Sequence, residues 1–344
     1  MCFVPRAILV WHSRPRLCEL FWFVSGHVFS PREARTEPGF INSQLQILLT
    51  IRVHYKLFMK ILLRLLLLTF LVSSFIPAFA AERVQCGSVK SRFMTGSVGY
   101  CAMLPPSYDT QTAKKFPVLY FLHGLGGDQS FLVSTGGWQI IEDMWEQKKL
   151  GEFVIITPEA DTSFYINSKD GRVHYDDFFI RDFIPQMEKK FRLTGTRAGR
   201  AIGGVSMGGY GALRFAFKYP QMFASVAGHM PALLEQLPNG AGNAGFNAFF
   251  GSAFGRPVDE AFWKANTPFV YARSKNLAGL KIYADCGASD DYGFDAGTRQ
   301  LDKLLTQRHV PHTINIYPGQ HDWQFVAQHL PAALQFQAKA LGLK

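Results

Sequence analysis

Gly204-Val205-Ser206-Met207-Gly208 reads G-x-S-x-G, a serine with a glycine two positions away on either side. That spacing lets a strand turn sharply into a helix with the serine hydroxyl exposed at the apex, where a Cβ at either glycine would crowd the two backbones. A serine hydroxyl is a poor nucleophile at neutral pH, so it needs a base to take its proton and an acid to orient that base. When a serine is presented this way, the partners follow in the order serine, acid, histidine. His321, in Tyr317-Pro318-Gly319-Gln320-His321-Asp322-Trp323, lies just past the last apolar run and is the expected base. His123 precedes the nucleophile, and His309 and His312 come before that run, at the opposite end of the sheet. The acid is expected in Asp285-Cys286-Gly287-Ala288-Ser289-Asp290-Asp291: Asp285 sits too near its strand to reach across, whereas Asp290 lies at the tip, 31 residues before His321. Asp291 is the alternative, with a helix cap or surface carboxylate as the role of whichever is not used. The oxyanion formed on attack needs preorganised backbone N–H donors. Met207, directly after the serine, and Leu125, in His123-Gly124-Leu125-Gly126-Gly127, are the candidates. There is no CxxC, HExxH or Walker motif, so no metal and no cofactor is expected.

These residues need a scaffold, and the chain alternates apolar runs with helical periodicity. Val118–Leu122, Phe153–Thr157, Ala201–Val205, Phe223–Ala227, Leu280–Ala284 and Thr313–Tyr317 read as buried strands. Helices are expected around Gln139–Gln147, Tyr175–Lys190, Tyr210–Ala216, Asp295–Arg308 and Asp322–Leu341. The alternation predicts a three-layer α/β fold with a mostly parallel central sheet and an N-terminal hairpin, one domain over residues 81–344. Cys86 and Cys101 flank the hairpin. A turn at Phe93-Met94 would set them opposite each other, but Thr95-Gly96 is the stronger turn signal and gives a register in which they miss. Residues 231–266 change to Gly, Asn, Ala and Phe without clear periodicity, which suggests an inserted, partly mobile loop near the active site. Its aromatics, Phe246, Phe249, Phe250, Phe254, Phe262 and Trp263, would form either a small satellite core or a wall for the acyl or aryl part of a substrate, with Tyr165 added from an earlier loop.

The chain has 344 residues, 48% hydrophobic and 18% charged, which excludes disorder for the bulk of it. Its formal charge of +10 is concentrated at the start: residues 1–80 hold nine Lys and Arg against three Asp and Glu, the remaining 264 hold 27 against 23. The body is only mildly basic and no nucleic-acid partner is expected. From Met59 the chain has a basic start, an apolar run from Leu65 to Val72 and small residues ending Ala78-Phe79-Ala80, the pattern of a secretory signal peptide over 59–80 cleaved near Ala80. The apolar run is too short for a stable membrane anchor. A secreted or periplasmic protein is expected, with translation starting at Met59 and residues 1–58 an over-extended gene model or leader without a fold. Cys2 and Cys18 fall in that part, which leaves Cys86, Cys101 and Cys286, an odd number in an oxidising compartment.

With these residues placed, the chain from roughly Val84 to Leu334 resembles the esterase family that contains feruloyl esterases, S-formylglutathione hydrolases, enterochelin esterases, tributyrin-type carboxylesterases and mycobacterial mycolyltransferases. The resemblance is carried by Leu104-Pro105-Pro106-Ser107-Tyr108, His123-Gly124-Leu125-Gly126-Gly127, Ser206-Met207-Gly208-Gly209-Tyr210-Gly211-Ala212-Leu213, the Asp285-Cys286-Gly287-x-x-Asp290 loop and Gly319-x-His321-Asp322-Trp323. It implies an α/β-hydrolase fold and, because the carboxylate after D-x-G-x-x is the acid in such esterases, Asp290 rather than Asp291. Val205 stands where S-formylglutathione hydrolases usually have His, and Gly208 where mycolyltransferases usually have Ala. The expectation is a secreted serine carboxylesterase for short-chain acyl, acetyl or feruloyl-type esters, small or polysaccharide-linked. An acyltransferase on the same triad is the alternative, and a catalytically inactive carbohydrate-binding module a more distant one.

Overall fold

Apolar residues alternate between the two faces of one central sheet. In β3 (Val118–Leu122), Val118, Tyr120 and Leu122 enter one apolar cluster while Leu119 and Phe121 enter the other. β4 (Val154–Pro158) and β5 (Arg200–Val205) divide the same way, Ile156 and Ile202 on one face, Ile155 and Ala201 on the opposite one. A strand covered on both faces has no polar alternation, which is why these segments read as continuous apolar runs. The helices Met207–Lys218 and Phe294–Gln307 pack into the first cluster, and Gly137–Glu146 and Trp323–Ala340 into the second. Sheet and two helical layers make the expected three-layer architecture.

The computed structural model describes residues 83–237 and 244–343, with positions 54, 58–60 and 62. But for those few positions, the expected leader and signal peptide, with Cys2 and Cys18, lie outside the described residues. The chain divides into two units, Met1–Phe79 and Ala80–Lys344, and the eight-stranded sheet belongs to the second. With β1 (Val84–Lys90), β2 (Ser97–Met103), β6 (Ser225–His229), β7 (Lys281–Gly287) and β8 (Thr313–Tyr317), the strand order is β1-β2-β4-β3-β5-β6-β7-β8. β3 to β8 run parallel and the β1–β2 hairpin adds antiparallel at the edge, the α/β-hydrolase arrangement. Parallel strands put the loops after β5, β7 and β8 at one end of the sheet, so the segments carrying Ser206, Asp290 and His321 share that end.

Four details depart from the sequence reading. In the hairpin, Cys86 pairs with Cys101 and Val89 with Val98, so the connection is the six residues 91–96 centred on Phe93-Met94, and Cys86 and Cys101 form a disulfide. Ser91 overrides the Thr95-Gly96 signal: its hydroxyl receives the Phe93 N–H at 3.0 Å and donates to Asp182 at 2.6 Å, tying the turn to a neighbouring helix. β6 begins and ends two residues later than expected because its polar ends find buried partners, Ser225 with Gln337 and His229 with Asp285. Residues 231–266 are not one irregular loop: they contain the helices Ala244–Phe254 and Glu260–Asn266, while positions 238–243 lie outside the described residues. Finally, the expected helix Tyr175–Lys190 widens to a π-turn at Phe179–Phe183. Pro185, which follows, has no N–H to give the carbonyl four residues earlier.

Candidate active site

Ser206 stands between β5 and the helix Met207–Lys218 at φ 55° and ψ −115°, a conformation few side chains adopt. Hydrogen bonds on both sides impose it: the Ser206 N–H donates to the His229 carbonyl at 2.9 Å, and its carbonyl accepts from Ala232 at 3.0 Å and Tyr210 at 2.9 Å. The flanking glycines are steric requirements. A Cβ on Gly204 would lie 2.6 Å from the Leu122 carbonyl oxygen, and one on Gly208 would collide with the same peptide group.

The Ser206 hydroxyl lies 2.9 Å from His321 Nε2, and His321 Nδ1 lies 2.6 Å from Asp290 Oδ2. A carboxylate only accepts, so Nδ1 carries the proton and Nε2 offers its lone pair to the serine. The loops that bring Asp290 and His321 together are bonded to each other, Ala288 N–H to the Tyr317 carbonyl at 2.7 Å and Ser289 N–H to the Gly319 carbonyl at 3.0 Å. Asp290 is buried, and burial alone would raise its pKa. The His321 hydrogen bond and charge, with the N–H groups of Tyr292 and Phe294 on Oδ1 at 3.0 and 3.2 Å, outweigh that and hold the carboxyl below the usual carboxylate range. Cys286, the free cysteine among the described residues, sets its sulfur 3.5 Å from Asp290 Oδ2; burial and that carboxylate push the thiol pKa up, so it stays a protonated donor.

Asp291 is exposed and, among the described residues, accepts only the backbone N–H of His321, at 3.3 Å. Asp285 is occupied elsewhere, bound to His229 Nδ1 at 2.9 Å and to the Tyr283 hydroxyl at 2.9 Å. This buried pair supports the site from below, since the His229 carbonyl holds the Ser206 N–H and the Asp285 carbonyl holds that of Met230 at 2.7 Å. His229 ends β6 and Asp285 lies two residues before the end of β7, and sequence reading missed the pair because its only signal is β6–β7 register, which sets His229 beside Asp285.

Leu125 and Met207 sit on the two segments that meet over the serine. Gly124 packs so close that a Cβ there would be 3.5 Å from the Ser206 Cβ. Met207 opens its helix, whose first N–H groups carry the positive end of the dipole. Among the described residues, neither the Leu125 nor the Met207 N–H has a hydrogen-bond acceptor. His123 shapes this loop: its buried ring accepts the Ala160 N–H at Nε2 (3.0 Å), which leaves Nδ1–H to donate to the Gly124 carbonyl at 2.8 Å.

Ser206 and His321 open into a cavity of about 500 Å³ whose walls include Leu125, Phe131, Phe164, Val205, Met230, Phe250, Phe294 and Val326. Of the three residues expected to receive substrate, Phe249 lines it and the other two do not. Tyr165 is fully buried beneath the serine's helix, its ring against Gly211 and its hydroxyl donating to the His123 carbonyl at 2.9 Å. Trp263 is fully buried behind the wall, packed on Phe250 and Phe254 at 5.0 and 4.6 Å between ring centroids. The aromatic segment divides: Phe249 and Phe250 line the cavity, and Phe254 and Trp263 form a core behind them. The side chain of Phe246 lies outside the described residues.

A family model described as "Putative esterase" matches residues 91–336. An esterase of Mycobacterium tuberculosis is 30% identical over 256 residues, covering 67% of this chain and 54% of its own length, so the chain spans about half of that relative. An acetyl esterase of Caldicellulosiruptor saccharolyticus is 25% identical over 239 residues, covering 66% of this chain and 85% of its own. Among solved structures, a ferulic acid esterase superposes with a TM-score of 0.65 at 25% identity, over 75% of this chain and 98% of its own. An S-formylglutathione hydrolase from Agrobacterium tumefaciens does so at 0.62 and 17% identity, over 75% and 95%, and shares the fold.

Proposed function

From the premise that the chain belongs to the esterase family matched over residues 91–336, we propose that it hydrolyses carboxylic esters through an acyl-enzyme on Ser206. One observation carries the reading: Ser206, His321 and Asp290 are joined by hydrogen bonds of 2.9 and 2.6 Å at the floor of an apolar cavity. His321 Nε2 takes the Ser206 proton as Oγ attacks the ester carbonyl. The carbonyl oxygen becomes an oxyanion facing the Leu125 and Met207 N–H groups. When the C–O bond breaks, imidazolium returns the proton to the departing alkoxide. Water, deprotonated by the same nitrogen, then attacks the acyl carbon and frees Ser206.

The cavity walls bring few polar side chains besides the reacting ones, which favours an apolar acyl or aryl group of medium size over acetyl. The mycobacterial esterase, the acetyl esterase and the ferulic acid esterase agree with ester hydrolysis, and the names of the last two differ in acyl group. Export across a membrane is part of the proposal, and the Cys86–Cys101 disulfide, a bond kept in oxidising compartments, supports it.

The experiment is a panel of p-nitrophenyl esters of increasing acyl length, with methyl ferulate and acetylated xylan, on wild type and Ser206→Ala. Hydrolysis by wild type, its loss in Ser206→Ala, and mass spectrometry placing the acyl group on Ser206 are the expected results. Unchanged turnover in Ser206→Ala would defeat the reading, and ester exchange to an added alcohol in preference to water would make the protein a transferase.

A further inference from the structure

The two N–H groups that face the oxyanion belong to different segments, Leu125 to the loop after β3 and Met207 to the start of the serine's helix, so their spacing has to be fixed by packing. Within the loop, the direction of the Leu125 N–H is set by the carbonyl of Gly124, because the two share one planar peptide and point opposite ways. That carbonyl accepts His123 Nδ1–H at 2.8 Å and the Gly127 N–H at 3.1 Å. The preceding peptide is held as well: the His123 carbonyl accepts the Tyr165 hydroxyl at 2.9 Å.

Tyr165 touches both segments. Its ring packs against the His123 imidazole, 5.9 Å between centroids, and lies so close to the serine's helix that a Cβ on Gly211 would fall 2.5 Å from its Cδ2. From the third side Tyr175 packs on it at a right angle, 5.3 Å between centroids, and is itself tied by its hydroxyl to the Glu159 carbonyl at 2.7 Å. Burial pushes the Tyr165 pKa up, so its hydroxyl remains a donor. The backbone that delivers this side chain is strained. Phe164 and Tyr165 stand at φ 48° and 59°, both fully or almost fully buried, in the left-handed region that residues with a Cβ seldom adopt. Such a conformation persists where its surroundings impose it, and two in succession here set one phenol between the loop and the helix.

Resting on the esterase reading, we propose that Tyr165 is a positioning residue: it ties the loop of Leu125 to the helix of Met207 and so holds the two oxyanion donors at the spacing the tetrahedral oxygen requires. Buried beneath that helix, it acts through His123 and reaches no substrate.

The test compares wild type, Tyr165→Phe and Tyr165→Leu on p-nitrophenyl butyrate, with active sites counted by a fluorophosphonate that labels Ser206. A trifluoromethyl ketone with the same acyl chain is the second probe: Ser206 Oγ adds to its carbonyl carbon, His321 takes the proton, and the oxygen is left as an oxyanion where the ester's would form. Tyr165→Phe keeps the ring and removes one hydrogen bond. Loss of an oxyanion donor outright costs about 10²–10³ in kcat, so loosening one should cost roughly tenfold per titrated site. Acylation and deacylation both pass through an oxyanion, so KM should hold while kcat falls, and the ketone's Ki should rise by the same factor. The pH profile should keep its shape, since His321 and Asp290 are untouched. Tyr165→Leu should lose more on both probes in parallel; if it does not fold, Tyr165→Phe decides alone. Wild-type kcat and Ki in Tyr165→Phe would overturn the proposal. So would a fall in kcat without a rise in Ki, which would move the effect to Ser206 or His321, or fewer titratable sites with unchanged kcat per site, which would make Tyr165 a folding residue. Wild-type protein that neither hydrolyses the ester nor reacts with the phosphonate would sink the esterase reading itself, and the positioning role with it.

Discussion

His321 meets Asp290 through one carboxylate oxygen only: Nδ1 donates to Oδ2 at 2.6 Å, while Oδ1 is taken by the N–H groups of Tyr292 and Phe294. The backbone of the acid's own loop thus decides which oxygen faces the imidazole.

Asp290→Asn should therefore be worse than a simple loss of charge. Its carbonyl would stay with the two N–H donors, its amide would point at Nδ1, and the imidazole would be driven to the tautomer that cannot accept the serine proton. We expect kcat to fall on the order of 10⁴-fold, and about 10⁶-fold for Ser206→Ala or His321→Ala, with the double variant hardly worse than either. Asp291→Asn, which among the described residues bonds only a backbone N–H, should stay within about threefold; collapse there and near-normal rates in Asp290→Asn would transfer the role.

The pH profile follows from the same contact. Asp290 is held below the usual carboxylate range, so it keeps its charge as the pH falls, and kcat/KM should rise with pH because only neutral His321 can accept the serine proton. A rate independent of pH would remove His321 from the reaction. Stability runs in the same direction. A carboxyl whose pKa is lower folded than unfolded stabilises the fold above its unfolded value of about 3.9 and loses that contribution as pH falls through the folded value. The melting temperature of Asp290→Asn should accordingly change less than that of wild type between pH 5 and pH 2.5.

Asp176 and Arg214 form a buried ion pair, each 2% exposed, and Asp176 also accepts from Lys218 at 2.8 Å and the Tyr219 hydroxyl at 2.7 Å. Arg214 in turn holds Asn266 at 3.0 and 2.9 Å, linking the serine's helix to the aromatic insertion. Asp176→Ala leaves a guanidinium buried without its counter-charge and should cost about 3–5 kcal/mol in urea unfolding. Asp176→Leu with Arg214→Met should cost less than Asp176→Ala alone; a greater loss would mean the pair itself is the stabilising element.

Removing the Cys86–Cys101 bridge, which spans 15 residues, should destabilise by about 3 kcal/mol on the chain-entropy account while leaving kcat untouched. β1 and β2 lie at the sheet edge, with β4 and β3 between them and β5. The double variant Cys86→Ser/Cys101→Ser, assayed well below its melting temperature, checks both halves; altered kcat would mean that the edge communicates with the serine.

Where local sterics or chain order decide, the amino-acid sequence is sufficient. A G-x-S-x-G elbow needs glycines because strand and helix backbones nearly touch at Gly204 and Gly208. Once the sheet is parallel, loops after successive strands must share one end, so Ser206, Asp290 and His321 could be brought together from order alone. The tertiary structure decided whatever depends on a partner distant in the chain. The hairpin register followed Ser91 and Asp182 rather than the better local turn, and Ser225 and His229 could stay in a strand only because Gln337 and Asp285 wait there to bond them. The helix Ala244–Phe254 has few polar residues to mark a solvent face, so its sequence carries little helical period. Aromatic content likewise identified Tyr165, Phe249 and Trp263 but not which way each would face. A ring's composition is local, while the side of the backbone it occupies is set by what packs against it, and that put Phe249 in the cavity and the other two in the core.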